Sequence, residues 1–274
     1  MRCSTASAKR DSAMKDKPAP NPLADQAGFY REFAPPIALR DHFQCVWINR
    51  AAATSGGPVD VVPDGCVDLV WRDGRLLVAG PDITVARPVL AAGSIVLGAR
   101  FRAGAAARWL GLPMSELVGR SVDLAGIWSA RRLRDVVEPI ADTVSTGQKA
   151  RSLLDGIATL SPLGTSPDPV AERMFAWLGE GLGAAEPIAV LRERLDISER
   201  TLLRRSREHF GYGPKMLDRI LRFQRFQAMA RRSPPMSLAA LAAEAGFADQ
   251  AHLNREVQSL CGMSAGAFLR QLSR

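Results

Sequence analysis

With 274 residues, the chain has room for two domains, each able to bury a core of its own. Its 47% hydrophobic and 23% charged content is ordinary for a globular protein and unlike that of a fibrous or fully disordered chain. A net charge of +8 favours a polyanionic partner, and no apolar run approaches the ~18 residues of a membrane span, so no membrane contact is expected and the cytoplasm is the expected location.

Met1 to Gln26 is rich in Ser, Ala, Lys, Asp and Pro, carries no apolar signal core, and reads as a disordered tail (residues 1–26) in which Met14 is an alternative start. From Ala27 to about Arg102 the pattern is one of short strands. His42 to Ile48 is β-prone, and Val59 to Val62 leads into a turn at Pro63-Asp64-Gly65. Cys66 to Trp71 alternates, then Arg72-Asp73-Gly74-Arg75 makes a hairpin turn into Leu76 to Ala79. Further strands are expected at Ile83 to Ala86 and Ser94 to Phe101, giving a mainly antiparallel β arrangement.

After Phe101 the apolar spacing becomes helical. Helices are expected over Gly104 to Leu110, Pro113 to Val118, Ser129 to Ile140 and Gln148 to Leu160. Ser161 to Pro169 holds three prolines and small residues, which marks a linker over 161–169. Val170 to Gly181 then opens the second domain as a helix with Val170, Met174, Trp177 and Leu178 on one side.

Two helix-turn-helix patterns follow. In the first, Ile188, Leu191 and Leu195 define a short helix, Asp196-Ile197 turns, and Ser198 caps a helix through Glu208. Leu202 and Phe210 face inward, while Arg200, Arg204 and Arg207 share an outward stripe. Pro214 to Arg232 is a basic connecting helix whose apolar members include Met216, Ile220, Phe223 and Met229. In the second pattern Leu238, Leu241, Ala242 and Ala245 form the stripe, Gly246 permits the positive φ of a tight corner, and Asp249 caps the next helix. Leu253 and Val257 pack inward there, leaving Gln250, Ala251, Asn254, Arg255 and Gln258 on the open face. Such side chains carry the donors and acceptors that read base edges in a major groove. Ser198 to Arg232 holds ten Lys/Arg against three Asp/Glu, a footprint suited to phosphates. Two such units joined by one helix can enter successive groove faces roughly 34 Å apart.

The stretch from Pro187 to Leu272 resembles the DNA-binding domain of AraC/XylS-type transcriptional regulators. The residues that carry the likeness are Leu195 to Leu202, Phe210-Gly211-Tyr212-Gly213-Pro214, Leu221-Arg222-Phe223, Gly246 to Glu256, and Cys261-Gly262-Met263-Ser264-Ala265. Ser206 and Val257 depart from the aromatic residues the family buries, and Ala265 from its usual proline, which implies looser packing of both reading helices. The resemblance implies base reading by Arg200, Leu203 and Arg204 in one helix (about 199–209), and by Gln250, Ala251, Asn254 and Arg255 in the other (about 250–260). Arg204 and Arg255 suit guanine, and Gln250 or Asn254 suits adenine. Arg207, Arg222 and Arg225 suit phosphates. The N-terminal part, about Phe29 to Trp128, resembles an uncharacterised sensor-like domain found ahead of some AraC-type domains. The residues concerned are Pro63 to Leu69, Gly80-Pro81, Gly98 to Gly104 and Leu110 to Leu117.

The fold class expected is therefore α+β: an N-terminal antiparallel β domain with following helices (27–160), a linker (161–169), and an all-α domain (170–274) with two helix-turn-helix units. Double-stranded DNA is the expected partner, with RNA polymerase and a small-molecule effector as further partners, in a monomer or homodimer. Arg100 and Arg102 alternate along one strand and could receive an anionic effector, or lie paired with Asp64 or Asp68. Four cysteines and three histidines show no metal-ligand spacing or disulfide framework, so neither metal nor cofactor is expected. Two alternatives stay open: a Cys66-dependent enzyme or acceptor that reaches DNA through its C-terminus, and a nonspecific architectural DNA binder. Asp64 and Asp68 flank Cys66, and nearby carboxylates raise a thiol's pKa, which disfavours a nucleophile.

Overall fold

A computed structural model describes residues 28–54, 56–143, 145–160, 166–183, 186–231 and 236–272. The expected tail, the Met14 start and most of the expected linker lie outside the described residues. Six strands form one antiparallel sheet: β1 (Gly28–Phe33), β2 (Phe43–Ala51), β4 (Asp68–Arg72), β5 (Arg75–Ala79), β7 (Ile95–Phe101) and β8 (Ser121–Asp123), in the order β1-β2-β7-β4-β5-β8. β3 (Gly57–Pro58) and β6 (Val89–Leu90) make a small second sheet. Asp73 and Gly74, both at positive φ, close the β4–β5 hairpin at the expected turn.

The strand pleat sorts the side chains. Leu69, Trp71, Leu97, Ala99 and Phe101 point to one face, where they bury against α1 (Ala106–Leu110), α2 (Ala130–Ala141) and α3 (Thr146–Leu160). The opposite face carries Tyr30, Trp47, Val70 and Val96, covered by Val59 and Leu90 of the small sheet. The segment expected as a helix over Pro113 to Val118 is a single 3₁₀ turn, Met114–Glu116.

The remaining helices are α4 (Pro169–Glu180), α5 (Pro187–Leu195), α6 (Glu199–Phe210), α7 (Pro214–Ala230), α8 (Leu238–Ala245), α9 (Gln250–Cys261) and α10 (Ala265–Leu272). The connecting helix α7 runs through their common core, where Phe223 and Phe226 pack against Phe268 of α10. This core also takes in Val62, with Ala103 and Val118 packed against it, so the β domain is docked on the helical one. No helix among the described residues is long and apolar enough to cross a membrane.

Candidate nucleic-acid interface

The second unit is built as its residues dictate. Ser237 Oγ accepts from the Ala240 N–H at the start of α8, and Gly246 ends the helix at φ 87°. The corner closes with the Phe247 N–H donating to the Ala242 carbonyl at 2.8 Å. Asp249 Oδ1 accepts from the His252 N–H at 2.6 Å and starts α9. Leu253, Val257 and Leu260 are fully buried, whereas Gln250, Ala251, Arg255 and Gln258 are exposed. Asn254 is half-buried, and its Oδ1 accepts from the Ala265 N–H at 3.1 Å, which fixes α10 against α9. Its oxygen thus carries one bond within the protein, and its amide nitrogen remains a donor on the open side. Asn254, Arg255, Gln258, Ser259 and Ser264 line a shallow groove along this face. Ser259 and Ser264 were not expected there; the signal for Ser264 was its capping position, since its Oγ accepts from the Ala267 N–H.

In the first unit, Asp196 takes the left-handed conformation (φ 52°) that ends α5, and Ser198 Oγ accepts from the Thr201 N–H at 3.2 Å to start α6. Leu202, Ser206, His209 and Phe210 are buried. Ser206 is fully buried, and its hydroxyl donates to the Tyr212 carbonyl at 2.7 Å, which ties α6 to the following turn. Arg200, Arg204 and Arg207 are exposed, and Arg204 makes a surface pair with Glu208 at 3.4 Å that a nucleic acid could displace. Unlike the second face, this one has a neighbour. Arg200, Leu203, Arg204 and Arg207 form one side of a groove whose other side is Pro113 and Ser115 of the β domain. The contact is tightest at Gly211 (φ 85°), where a Cβ would meet Val118 Cγ2 at 2.5 Å and the Met114 carbonyl and Pro81 ring at 3.0 Å.

Two family models match the sequence. Residues 191–271 match a "Helix-turn-helix domain" of the AraC type. The C-terminal region is an AraC-type helix-turn-helix domain. Residues 31–123 match a "Domain of unknown function (DUF6597)". The chain is therefore a DNA-binding transcription regulator with a β domain ahead of its AraC-type domain. No curated protein matches it. Solved structures similar to it include an apo variant of ToxT from Vibrio cholerae strain SCE256, at 12% identity and TM-score 0.45, covering 88% of this chain and 100% of that one. ToxT from Vibrio cholerae O395 is 12% identical with TM-score 0.44, covering 82% and 96%. Unsaturated fatty acid bound wild-type ToxT from strain SCE256 is 12% identical with TM-score 0.45, covering 85% and 96%.

Within the AraC-type domain the basic run divides into surface and structural arginines. Arg222 pairs with Asp218 and lies 5.7 Å from the Phe247 ring, while Arg225 donates to the carbonyls of Leu178, Gly179 and Ala245. Arg225 thus staples α4 and α8 onto α7, and burial lowers its pKa. Both were expected to clamp phosphates; both are consumed inside the protein because they lie on the packed side of α7. Arg219 is likewise held, by Glu256 at 2.7 Å. Arg207 alone of the three expected phosphate residues is exposed.

In the β domain Arg100 is not open to an anionic effector. Arg100 is buried on β7 and faces Asp64 at 3.0 Å, Asp68 at 3.2 Å and Glu32 at 3.9 Å, so its charge is already answered by three carboxylates. Arg102 lies beyond the strand, exposed, and pairs with Glu172 of α4 at 3.3 Å. Cys66 donates its N–H to Asp64 Oδ1 in a local turn; burial pushes its thiol pKa well up, and Asp64 adds to the shift. A thiol held protonated in this way is a poor nucleophile.

Proposed function

We propose that this regulator reads a bipartite operator, one segment through α6 and the other through α9, and that its β domain controls the first reading event. Arg200, Leu203 and Arg204 are the base-reading residues proposed for α6, with Arg207 on a phosphate. Gln250, Ala251 and Arg255 are those proposed for α9, with Asn254 contributing a donor. The observation that carries the control is the asymmetry of the two faces: α9 is open, whereas α6 has Pro113 and Ser115 beside its reading side chains. A reading helix lies between the two phosphate backbones of a major groove, about 12 Å wide, so a protein segment at its flank competes with one of them. Docking of the β domain therefore restrains the first unit and leaves the second free. A small-molecule effector acts on this reading by shifting the docked population, not through an anion on Arg100. The site of action is the cytoplasm, with RNA polymerase as the downstream partner.

Selection of bound sequences from a random DNA pool, run with the wild-type chain and with Arg204→Ala and Arg255→Ala, tests this. The expected result is a two-segment motif, the segments roughly one helical turn (34 Å) apart. Each variant blunts one segment, with a loss of about 1–3 kcal/mol of base discrimination. Unenriched binding that varies with salt alone would instead mean architectural binding.

A further inference from the structure

Asp168 was absorbed into a proline-rich linker by its sequence context, yet it is 1% exposed and is the point where three elements meet. Its backbone N–H donates to the Gly104 carbonyl at 3.0 Å, at the end of the β domain's sheet. The approach leaves no room for a side chain at Gly104: a Cβ there would lie 2.8 Å from the Asp168 carbonyl oxygen. The two carboxylate oxygens are divided between tasks. Oδ1 accepts from the Val170 and Ala171 N–H groups, both at 3.0 Å, and caps α4. Oδ2 accepts from Arg108 Nη2 of α1 at 3.0 Å and from Arg205 Nη1 of α6. Arg108 also donates to the Ser166 carbonyl at 3.0 Å, so the β domain grips the entry to α4 at two points.

His209 Nε2 lies 3.6 Å from the same Oδ2. Burial lowers the His209 pKa, so at neutral pH this imidazole is uncharged and the two guanidiniums are the counter-charges. Arg205 sits on the packed side of α6, next in sequence to the proposed base reader Arg204. A buried carboxylate that loses one of two cationic partners must rebalance, because removal of a partner from such a pair costs far more than an exposed pair contributes.

We propose that Asp168 is a positioning residue that couples docking of the β domain to the setting of the first reading helix, through one oxygen shared by Arg108 and Arg205. Departure of the β domain withdraws Arg108 and leaves Asp168 to Arg205 alone, so the hold on α6 differs between the docked and released states. This rests on the two-segment reading above.

The test uses the full chain and the two-segment operator selected by the wild type, with the first or the second segment scrambled in turn. Arg108→Gln removes only the β-domain arm, and its side chain is 41% exposed, so the variant is expected to fold. The first-segment affinity is expected to rise roughly fivefold or more, the lower end of ordinary allosteric coupling, with the second unchanged. Arg108→Lys, which keeps the charge, restores most of the wild-type ratio between segments. Asp168→Asn keeps the α4 cap through its amide oxygen and removes the charge that both arginines share. Adding Arg108→Gln to it therefore leaves the ratio between segments unchanged, as expected of two substitutions that act through the one oxygen. An unchanged segment ratio in Arg108→Gln, or effects of the two substitutions that multiply, would overturn the proposal while leaving the two-segment reading intact. Failure of the wild type to select any motif would overturn that reading instead.

Discussion

The two helix-turn-helix units share a plan and differ in their surroundings. Each begins its reading helix at a side-chain cap, Ser198 or Asp249, and buries a leucine in the common core, Leu202 or Leu253. The second unit presents its face to solvent; at the far end of α9 the Val85 N–H reaches across from the β domain to the Leu260 carbonyl, and Arg87 lies beside Gly262. The first is flanked on its reading side by Pro113 and Ser115, pressed at its C-terminus by Pro81, Met114 and Val118, and held from behind by Asp168. Equal motifs thus need not be equal instruments: what differs is how much of the β domain must move before DNA can be met.

The largest expected effect would erase the comparison, because it strikes what the two units share. Phe223 on α7 is fully buried, 5.3 Å from the Phe268 ring in an edge-on contact and 6.2 Å from Phe226. Phe223→Ala is expected to cost about 3–5 kcal/mol of stability and to weaken both DNA segments together, measured by denaturant unfolding and half-operator titration. Loss in one segment only would mean the units do not depend on a common core.

Smaller changes sharpen the contrast. Ser198→Ala and Asp249→Ala each remove a cap worth about 1 kcal/mol. Asp249→Ala should weaken the second segment alone. Ser198→Ala should weaken the first, and also lower the protection of α6 amides from hydrogen exchange without changing that of α9.

The smallest expected effect concerns the docking seam. Burial, with Asp64 and Asp68 adding to it, pushes the Asp82 carboxyl up to about 6. Asp82 therefore holds its proton more tightly in the folded chain than in the unfolded one. Its stabilising contribution is complete below the ordinary carboxylate range and is lost as pH rises through about 6. His42 and His209 act with the opposite sign, since burial lowers both and their contribution grows as pH rises through the ordinary imidazole range. Comparing the unfolding temperature of Asp82→Asn with that of the wild type isolates the carboxyl. The wild-type value should fall relative to the variant between about pH 4 and 6, then run parallel above. A constant difference across that range would contradict the assignment.

Local chemistry made much of the helical region legible. Caps at Ser198 and Asp249, the glycine corner at Gly246 and leucines at helical spacing all sit where their side chains require. The sheet was legible in its centre, where strands alternate cleanly, and less so at its margins. β1 was missed because Phe29, Arg31 and Phe33 point outward from an edge strand while Tyr30 and Glu32 turn to the face that holds Trp47 and Arg100, which inverts the usual apolar-inside pattern. The strands expected at Val59 to Val62 and Ile83 to Ala86 reduce to a single Val61–Ala86 bridge, and the Val85 N–H, on the outer side of that bridge, reaches the Leu260 carbonyl of the helical domain. That contact, like those of Arg100, Arg225 and Asp168, joins residues far apart in the chain. Spacing along the chain names a charge; it does not say which partner claims it.

The most direct test of this account is a titration of the full chain against the selected operator, followed by footprinting of both segments at each concentration. The account predicts that the α9 segment is protected first and the α6 segment only at higher concentration, with the gap closing in Arg108→Gln. Simultaneous protection of both segments by the wild type, or earlier protection of the α6 segment, would contradict it.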